Sequence, residues 1–344
     1  MKKIRYSILG AGFVAVLHAE AVASLSDAEL VGIADPDRIR ADALAAKYGC
    51  SAFSSAAEMY DKASPDAVSI CLPTYLHADA VCEAAARGLH VLCEKPLALK
   101  EDDCRRMLEA EKNTASVISV AQLLRWWPEY RRLHDLTVSG ISGPVTSMTA
   151  VRIMHGTRGG WFADPELGGG ALFDLMAHDA DYMLWTLGTE IRSVYAVGRR
   201  NEKGAWQHVY ASFLYDDGRC AVLECGNDLP EGFPFTAKLL VSGPEGSLEI
   251  NSAAAQNIAA GIKTDSALRC IIRGETSVPF ISDGNAQTRA FREEIGGFLE
   301  GIRSGISPLP LSEAARVISL LNRVRESLET GLPVSVSAIP PAIP

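Results

Sequence analysis

The sequence lacks an excess of positive charge, and it also lacks long apolar runs. Its 344 residues contain 33 Lys and Arg against 42 Asp and Glu, which gives a net charge of −9. Such a chain has no surplus of cations to neutralise phosphates, so we expect neither nucleic acid nor an anionic membrane as a partner. No apolar run approaches the ~20 residues of a membrane span. Internal repeats and low-complexity tracts are also missing.

Cysteine is present, but never as a Cys-x-x-Cys pair. The 8 cysteines fall singly, several of them in apolar runs, such as Cys71 in AVSICLP and Cys93 in HVLCEKP. This distribution argues against a disulfide framework or a zinc site and indicates buried, reduced thiols. The basic and apolar N-terminus is similar to a secretory signal, but His18 and Glu20 interrupt it, and we interpret it as a strand and a helix. We therefore expect a cytoplasmic protein without a metal.

Hydrophobic residues make up 48% of the chain and charged residues 22%, enough apolar material for roughly two domains with sizeable cores. From Ile4 to about Ile118, short apolar runs alternate with amphipathic stretches, which predicts a parallel sheet covered on both faces. After about residue 145, apolar strands and hairpin turns predict a second, mainly antiparallel sheet. Two amphipathic helices, 288–305 and 312–331, follow it.

A glycine-rich turn separates the first predicted strand from the first predicted helix. Residues 10–15, GAGFVA, match G-x-G-x-x-A, in which the glycines permit a tight turn and close approach to a pyrophosphate. Asp35 ends the next apolar strand about twenty residues later, where a carboxylate binds the ribose hydroxyls. The pattern predicts NAD rather than NADP, although Arg38 and Arg40 lie near enough in sequence to meet a 2′-phosphate. The alternative is a structural turn followed by an unrelated loop aspartate.

Two loops follow the third and fourth predicted strands, at Cys71-Leu72-Pro73-Thr74 and at Glu94-Lys95-Pro96. Ligands of open parallel sheets bind beyond the carboxyl ends of the strands, so both loops are expected to face the cofactor. Pro96 restrains Lys95 to extended backbone. On position alone, Lys95 is either a solvated loop charge or a catalytic cation.

A predicted helix after three consecutive glycines carries three ionisable residues in apolar surroundings. Asp174, His178 and Asp181 lie at i, i+4 and i+7 and therefore share one helical face. Such groups are costly unless they have a partner or a catalytic role. Two other interpretations stay open. One is an Asp–His pair that stabilises the helix, with Asp181 capping or exposed, and the other is a metal site, for which further ligands at suitable spacing are missing.

Five segments, taken in order, closely resemble the Gfo/Idh/MocA oxidoreductase family, which includes glucose–fructose oxidoreductase and inositol 2-dehydrogenase. They are GAGFVAVLHAE, IADPD, LPTYLHADAVCEAAARGLHVLCEKPLAL, LLRWWPEY and GGGALFDLMAHDADYMLWTLG. The resemblance covers nearly the whole chain up to the final proline-rich tail. In the family pattern the lysine of the EKP motif matches Lys95, and the aspartate and the histidine of the D-x-x-x-H helix match Asp174 and His178. Ala15 stands where many members have glycine, which the fingerprint tolerates.

The resemblance implies an N-terminal Rossmann domain over residues 1–122. Over residues 123–344 it implies a C-terminal α+β domain with a large, mainly antiparallel open sheet. It leaves open whether the C-terminal helices pack back on the Rossmann domain. It further implies NAD(P)-dependent oxidation of a sugar or cyclitol hydroxyl. Two other functions use the same fold: NAD-dependent glycoside cleavage, which the same hydride step initiates, and non-catalytic sensing of NAD and a sugar. The combination of Lys95, Asp174 and His178 argues against a sensor.

The sequence and the resemblance together give candidate residues for each site. The expected cofactor-binding residues are Gly10, Gly12, Phe13, Val14, Asp35, Leu72, Pro73, Thr74, His77, Glu94 and Lys95. The expected catalytic residues are Lys95, Asp174 and His178. The expected substrate-binding residues are Arg125, Trp127, His155, Arg158, Trp161, Asp174 and His178. Aromatic side chains and arginines suit the faces and hydroxyls of a sugar, although each of them suits packing between domains equally well.

The predicted strand 209–215, VYASFLY, points to an oligomer. Neither of its two faces is strongly charged, so both are expected to meet protein. Family members commonly pair the open faces of their C-terminal sheets. We therefore expect a homodimer or homotetramer formed through this sheet.

Overall fold

The computed structural model describes residues 2–156, 159–254, 266–282 and 284–336. The chain divides into two compact units. The first contains Met1–Leu123 and Thr288–Ala315, and the second contains Leu124–Gln287 and Arg316–Pro344. The first unit is therefore discontinuous in sequence, because a late segment of the chain joins the N-terminal part.

A six-stranded parallel sheet forms the centre of the first unit. Its strands are β1 (Ile4–Leu9), β2 (Ala28–Ala34), β3 (Ser51–Phe53), β4 (Ala67–Ile70), β5 (His90–Glu94) and β6 (Ile118–Ala121). They pair in the order β3-β2-β1-β4-β5-β6, all in parallel. β4 and β6 are buried along their whole length, as a sheet covered on both faces requires. This is the strand order of a doubly wound sheet, and the fold class expected for this part is confirmed.

Five helices connect these strands. They are α1 (Phe13–Ala23), α2 (Arg38–Tyr48), α3 (Ala56–Ala63), α4 (His77–Ala86) and α5 (Glu101–Lys112). The side chain of Asp37 caps the start of α2, and the left-handed Gly49 (φ 69°) ends it. The sequence pattern missed β3 and α3, because a strand of 3 residues is too short to show periodicity. The strands counted third and fourth in the sequence are therefore β4 and β5.

The second unit contains a nine-stranded sheet, which confirms the large and mainly antiparallel sheet expected there. Its strands are β7 (Ser147–His155), β8 (Ile191–Arg200), β9 (Trp206–Tyr215), β10 (Cys220–Leu229), β11 (Phe235–Gly243), β12 (Gly246–Ala254), β13 (Ser266–Ile272), β14 (Glu275–Ile281) and β15 (Val334–Ser335). Their order is β14-β13-β12-β11-β7-β10-β9-β8-β15. β7 and β10 pair in parallel, and the other neighbours pair antiparallel. β14 was not predicted, since this edge strand is exposed along most of its length and shows no buried alternation.

The remaining helices are α6 (Pro128–Val138), α7 (Ala171–Asp174), α8 (Met176–Leu187), α9 (Ala286–Ser304) and α10 (Leu311–Thr330). The apolar face of α9 packs in the first unit, where Phe291, Ile295 and Phe298 join a core cluster with Tyr6 and Leu92. This contact explains why a late helix belongs to the N-terminal unit. Each helix within the described ranges is too short or too polar to cross a membrane.

Candidate active site

The glycine turn has the geometry that its sequence pattern requires. Gly10 has a φ of +104°, and a Cβ atom there would lie 2.4 Å from the carbonyl oxygen of Cys71, so only glycine fits. A Cβ atom at Gly12 would meet nothing among the described residues within 4 Å, which leaves open space at the start of α1. The small residue at the third fingerprint position, Ala15, is fully buried in a cluster with Ile8 and Ile33.

Two other candidates lie in the first turn of α1. The side chain of Phe13 is 53% exposed, whereas Val14 is half-buried and packs against the core clusters of the first unit. The main chain of this turn, with Gly12 as the residue before the helix, has no side-chain cap among the described residues. Its N–H groups can therefore serve an anionic ligand.

Asp35, directly after β2, is held against the glycine turn. Its Oδ2 accepts a hydrogen bond from the N–H of Ala11 at 2.7 Å, and its Oδ1 accepts one from the N–H of Asp37 at 2.8 Å. The two arginines that follow are exposed and paired with acidic neighbours. Arg38 contacts Asp42 at 2.9 Å, and Arg40 contacts Asp37 at 3.0 Å.

The two candidate cofactor loops are joined by His77. Its Nε2 lies 2.9 Å from the carbonyl oxygen of Leu72, and its Nδ1 lies 3.0 Å from that of Pro96. The imidazole is 1% exposed, and burial lowers its pKa against the opposing effect of the two carbonyl oxygens. His77 therefore acts on this region through the two loops that it connects. In the first of these loops Thr74 is also buried, whereas Leu72 and Pro73 are half-buried.

Lys95 lies at the carboxyl end of β5, in the second of these loops. It is half-buried, and its N–H donates a hydrogen bond to Oε2 of Glu94 at 3.0 Å. The peptide bond between Lys95 and Pro96 is cis. Lys95 belongs to the first unit, whereas Asp174 and His178 belong to the second.

The segment that carries Asp174 and His178 is not one regular helix. The regular helix is interrupted at Leu175, whose backbone stays in the right-handed helical region (φ −97°, ψ −49°), so Asp174 ends α7 and His178 lies in the first turn of α8. The helix predicted here is therefore interrupted, and the shared face of Asp174, His178 and Asp181 stays a prediction. Asp174 is 7% exposed and His178 is half-buried.

The three glycines before α7 are required by close packing. A Cβ atom at Gly168 would lie 2.5 Å from the carbonyl oxygen of Trp161, and one at Gly170 would lie 2.4 Å from that of Trp206. Gly169 and Gly170 also adopt positive φ angles of 72° and 71°. The glycines therefore bring the turn that contains Trp161 against the segment that leads to Asp174.

Asp181 neither caps the helix nor is exposed, so the interpretation that gave it one of these two positions is wrong. It is 1% exposed and forms a two-pronged ion pair with Arg125, from Nε to Oδ2 at 2.9 Å and from Nη2 to Oδ1 at 2.8 Å. The guanidinium of Arg125 also lies 5.5 Å from the ring centre of Trp185. Arg125 therefore packs within the second unit, and binding of substrate by this residue stays a prediction.

A second buried ion pair was missed in the sequence. Nε and Nη2 of Arg152 contact the carboxylate of Asp179 at 2.9 Å and 2.8 Å, and both residues are at most 5% exposed. Burial opposes the charge on Arg152, but Asp179 and Tyr130 raise the pKa of the guanidinium above its usual value. The pair fixes α8, which carries His178, to β7. The alternation along β7 could have indicated this pair, because Met148 and residues 150 and 152 are every second residue and all three are buried.

The other predicted substrate residues are spread over three segments of the second unit. Trp127 precedes α6, His155 ends β7, and Trp161 stacks on Phe162 with ring centres 3.7 Å apart. All three predicted residues are half-buried. Arg158 lies outside the described residues. Among the described residues, no group of three His, Cys, Asp or Glu side chains is arranged to hold a metal ion.

Comparisons with known proteins match this arrangement over both units. Residues 4–122 match a family model described as an oxidoreductase family with an NAD-binding Rossmann fold, and residues 130–249 match the GFO/IDH/MocA C-terminal domain. The chain is 29% identical to D-xylose 1-dehydrogenase (NADP(+)) 2 of Haloferax volcanii, over 96% of this chain and 99% of that protein. It is 26% identical to scyllo-inositol 2-dehydrogenase (NAD(+)) of Bacillus subtilis, over 97% and 96%. The crystal structure of a putative myo-inositol dehydrogenase from Sinorhizobium meliloti 1021 is similar, with a TM-score of 0.81 and 25% identity, over 97% and 100% of the two chains.

Proposed function

We propose that this chain, which belongs to the GFO/IDH/MocA oxidoreductase family, transfers a hydride between NAD and a secondary hydroxyl of a sugar or cyclitol. The observation that carries the proposal is the open glycine turn with Asp35 held beside it. One relative is named for NADP and D-xylose, a pentose, and another is named for NAD and scyllo-inositol. For this chain we therefore propose both the substrate class and the choice of NAD.

The residues of the turn fit a dinucleotide. Open space beside Gly12 and the uncapped N–H groups of α1 suit the pyrophosphate, because the start of a helix carries partial positive charge. Asp35 is placed to accept hydrogen bonds from the ribose hydroxyls. When bound, the nicotinamide supplies the hydride acceptor or donor.

Preference for NAD follows from the charges near the end of β2. The Asp35 carboxylate would repel a 2′-phosphate at close range. Arg38 and Arg40, the residues best placed in sequence to attract such a phosphate, each have a carboxylate partner. Exposed pairs of this kind are weak, so Asp35 rather than the arginines carries the preference.

Oxidation of a secondary alcohol removes a hydride from carbon and a proton from oxygen, so the site needs a base. We assign the base to His178, because histidine titrates near neutrality and can take the hydroxyl proton on its imidazole. Asp174 orients this imidazole or holds the substrate hydroxyl. The ammonium group of Lys95 stabilises the developing alkoxide.

The test begins with a screen of sugars and cyclitols with NAD and NADP, followed by the absorbance of the reduced nicotinamide. On the best substrate, His178→Ala and Lys95→Ala are each expected to lower turnover about 10²–10⁴-fold, while the affinity for NAD stays nearly unchanged. Turnover within about threefold of the parent would remove that residue from its role. Tight NAD binding without turnover of any substrate would instead indicate a sensor.

We further propose that the protein is a homodimer or homotetramer through the nine-stranded sheet. The outward face of this sheet exposes Tyr195, Val197, Tyr210 and Leu214, each at least 40% exposed. An apolar patch of this kind is typical of a protein interface. Light scattering at micromolar concentration tests the assembly, and a monomer would contradict it.

A further inference from the structure

A chain of buried polar side chains in the first unit ends at the main chain of Lys95. The hydroxyl of Tyr6 lies 2.8 Å from Oγ of Ser69, and the same Oγ lies 2.8 Å from Nδ1 of His18. Nε2 of His18 lies 3.0 Å from Oε1 of Glu94. The other oxygen of this carboxylate accepts the hydrogen bond from the N–H of Lys95. We call Tyr6, Ser69, His18 and Glu94 the buried chain, and none of them is more than 7% exposed.

One arrangement of protons satisfies every member of the buried chain. In this arrangement the Tyr6 hydroxyl donates to Ser69, the Ser69 hydroxyl donates to Nδ1 of His18, and Nε2–H of His18 donates to Glu94. Each hydrogen bond then has one donor and one acceptor. Loss of the imidazole would leave Oε1 of Glu94 and the Ser69 hydroxyl without these partners, and an unsatisfied buried acceptor is costly.

The buried chain is held in place by α9. The ring of His18 lies edge-on to Phe291 with centres 5.5 Å apart, and that of Tyr6 lies edge-on to Phe298 at 6.2 Å. Apolar side chains of the same size would fill this core without the cost of burying polar groups. A satisfied polar network in a core, by contrast, specifies one arrangement of its members. What this network specifies is the orientation of the Glu94 carboxylate, and through it the position of the Lys95 N–H.

We propose that His18 and Glu94 are positioning residues that fix the strand end from which the Lys95 side chain extends. This inference rests on the proposed function, because it takes Lys95 as the group that stabilises the alkoxide. His18 is fully buried, so it acts on the reaction indirectly, and its hydrogen bond to Glu94 is the contact that leads to Lys95. A displacement of about 1 Å in a catalytic group costs up to about 10²-fold in rate, so loss of this support is measurable.

A double-mutant cycle between His18 and Lys95 tests the inference on the full chain. His18→Phe is expected to lower kcat about 10–100-fold, with KM for the substrate and the Kd for NAD within about threefold of the parent. In the Lys95→Ala background the same substitution is expected to change kcat by less than about threefold, because the group it positions is gone. An equal loss of kcat in both backgrounds would overturn the inference and leave the proposed function intact. If Lys95→Ala alone left turnover within about threefold, the role of Lys95 and this inference would both be withdrawn.

A second pair of variants separates geometry from general destabilisation. Glu94→Ala removes the acceptor of the Lys95 N–H, whereas Glu94→Gln keeps an acceptor oxygen there and can donate from its amide to the other tautomer of His18. The kcat of Glu94→Gln is therefore expected to be at least about ten times that of Glu94→Ala. Met59→Ala is the control for lost stability, because Met59 is fully buried on α3 beside Gly32. This variant should keep kcat within about twofold of the parent. Equal loss of kcat in Glu94→Gln and Glu94→Ala, or in Met59→Ala and His18→Phe, would count against positioning.

Discussion

Glu294 on α9 should make the protein less stable as the pH rises, and Glu294→Gln should remove this dependence. Glu294 is 1% exposed, and neither of its carboxylate oxygens has a hydrogen-bond partner among the described residues. Burial, and secondly the charge of Glu94, raise its pKa well above the ordinary 4.5. Tyr6 and Cys71 face the same site, and burial raises the pKa of each, so both stay neutral.

The sign of the effect follows from proton linkage. With its pKa raised in the folded state, Glu294 keeps a proton that the unfolded chain releases above pH 4.5. Its contribution to stability is therefore intact below that pH and is lost as the pH rises toward the folded pKa. The loss is about 1.4 kcal/mol per pH unit, and between pH 4.5 and pH 7 it reaches at most about 3 kcal/mol. Gln has nearly the same shape and no proton to lose, so Glu294→Gln should stabilise the protein at pH 7 by up to this amount.

Urea unfolding followed by circular dichroism at pH 5, 6, 7 and 8 measures this effect. The difference in free energy of unfolding between Glu294→Gln and the parent should grow as the pH rises from 5, until the pH passes the raised pKa of Glu294 in the folded protein. Glu300→Gln, on the same helix but with a side chain 73% exposed, is the matched control and should show no such trend. A constant difference between the variant and the parent from pH 5 to pH 8 would refute the reasoning.

Three further outcomes follow from the structure. Asp35→Ser should narrow the preference for NAD over NADP, measured as the ratio of kcat/KM values, and a parent enzyme that uses NADP equally well or better would contradict the role of Asp35. Arg152→Leu should lower the free energy of unfolding by about 3–5 kcal/mol in urea titrations, because it leaves Asp179 buried without its partner, and Asp179→Asn added to it should recover part of the loss. Tyr210→Glu, on the outward face of the nine-stranded sheet, should shift the light-scattering mass toward the monomer, and an unchanged mass would argue against this face as the interface.

Local pattern was sufficient for much of the fold. The alternation of apolar runs with amphipathic helices predicted the parallel sheet, because strand and helix periodicity are properties of neighbouring residues. The fingerprint at residues 10–15 likewise predicted the tight turn at Gly10, since the turn depends on a few adjacent backbone angles. Short or exposed elements escaped this logic. β3 has 3 residues, and β14 is an exposed edge.

Contacts between residues distant in sequence were decided only by the tertiary structure. Spacing alone predicted one helical face for Asp174, His178 and Asp181, but it did not show that the helix is interrupted at Leu175. It also did not show that Asp181 pairs with Arg125, 56 positions away. The partner of His18 is Glu94, 76 positions away, and no period in the sequence connects them. Membership of α9 in the first unit depended in the same way on how its apolar face was buried. The sequence by itself determines which side chains are apolar or charged and which residues have a flexible backbone. The partner of a buried charge is decided by packing, because desolvation makes a partner necessary without specifying which residue supplies it.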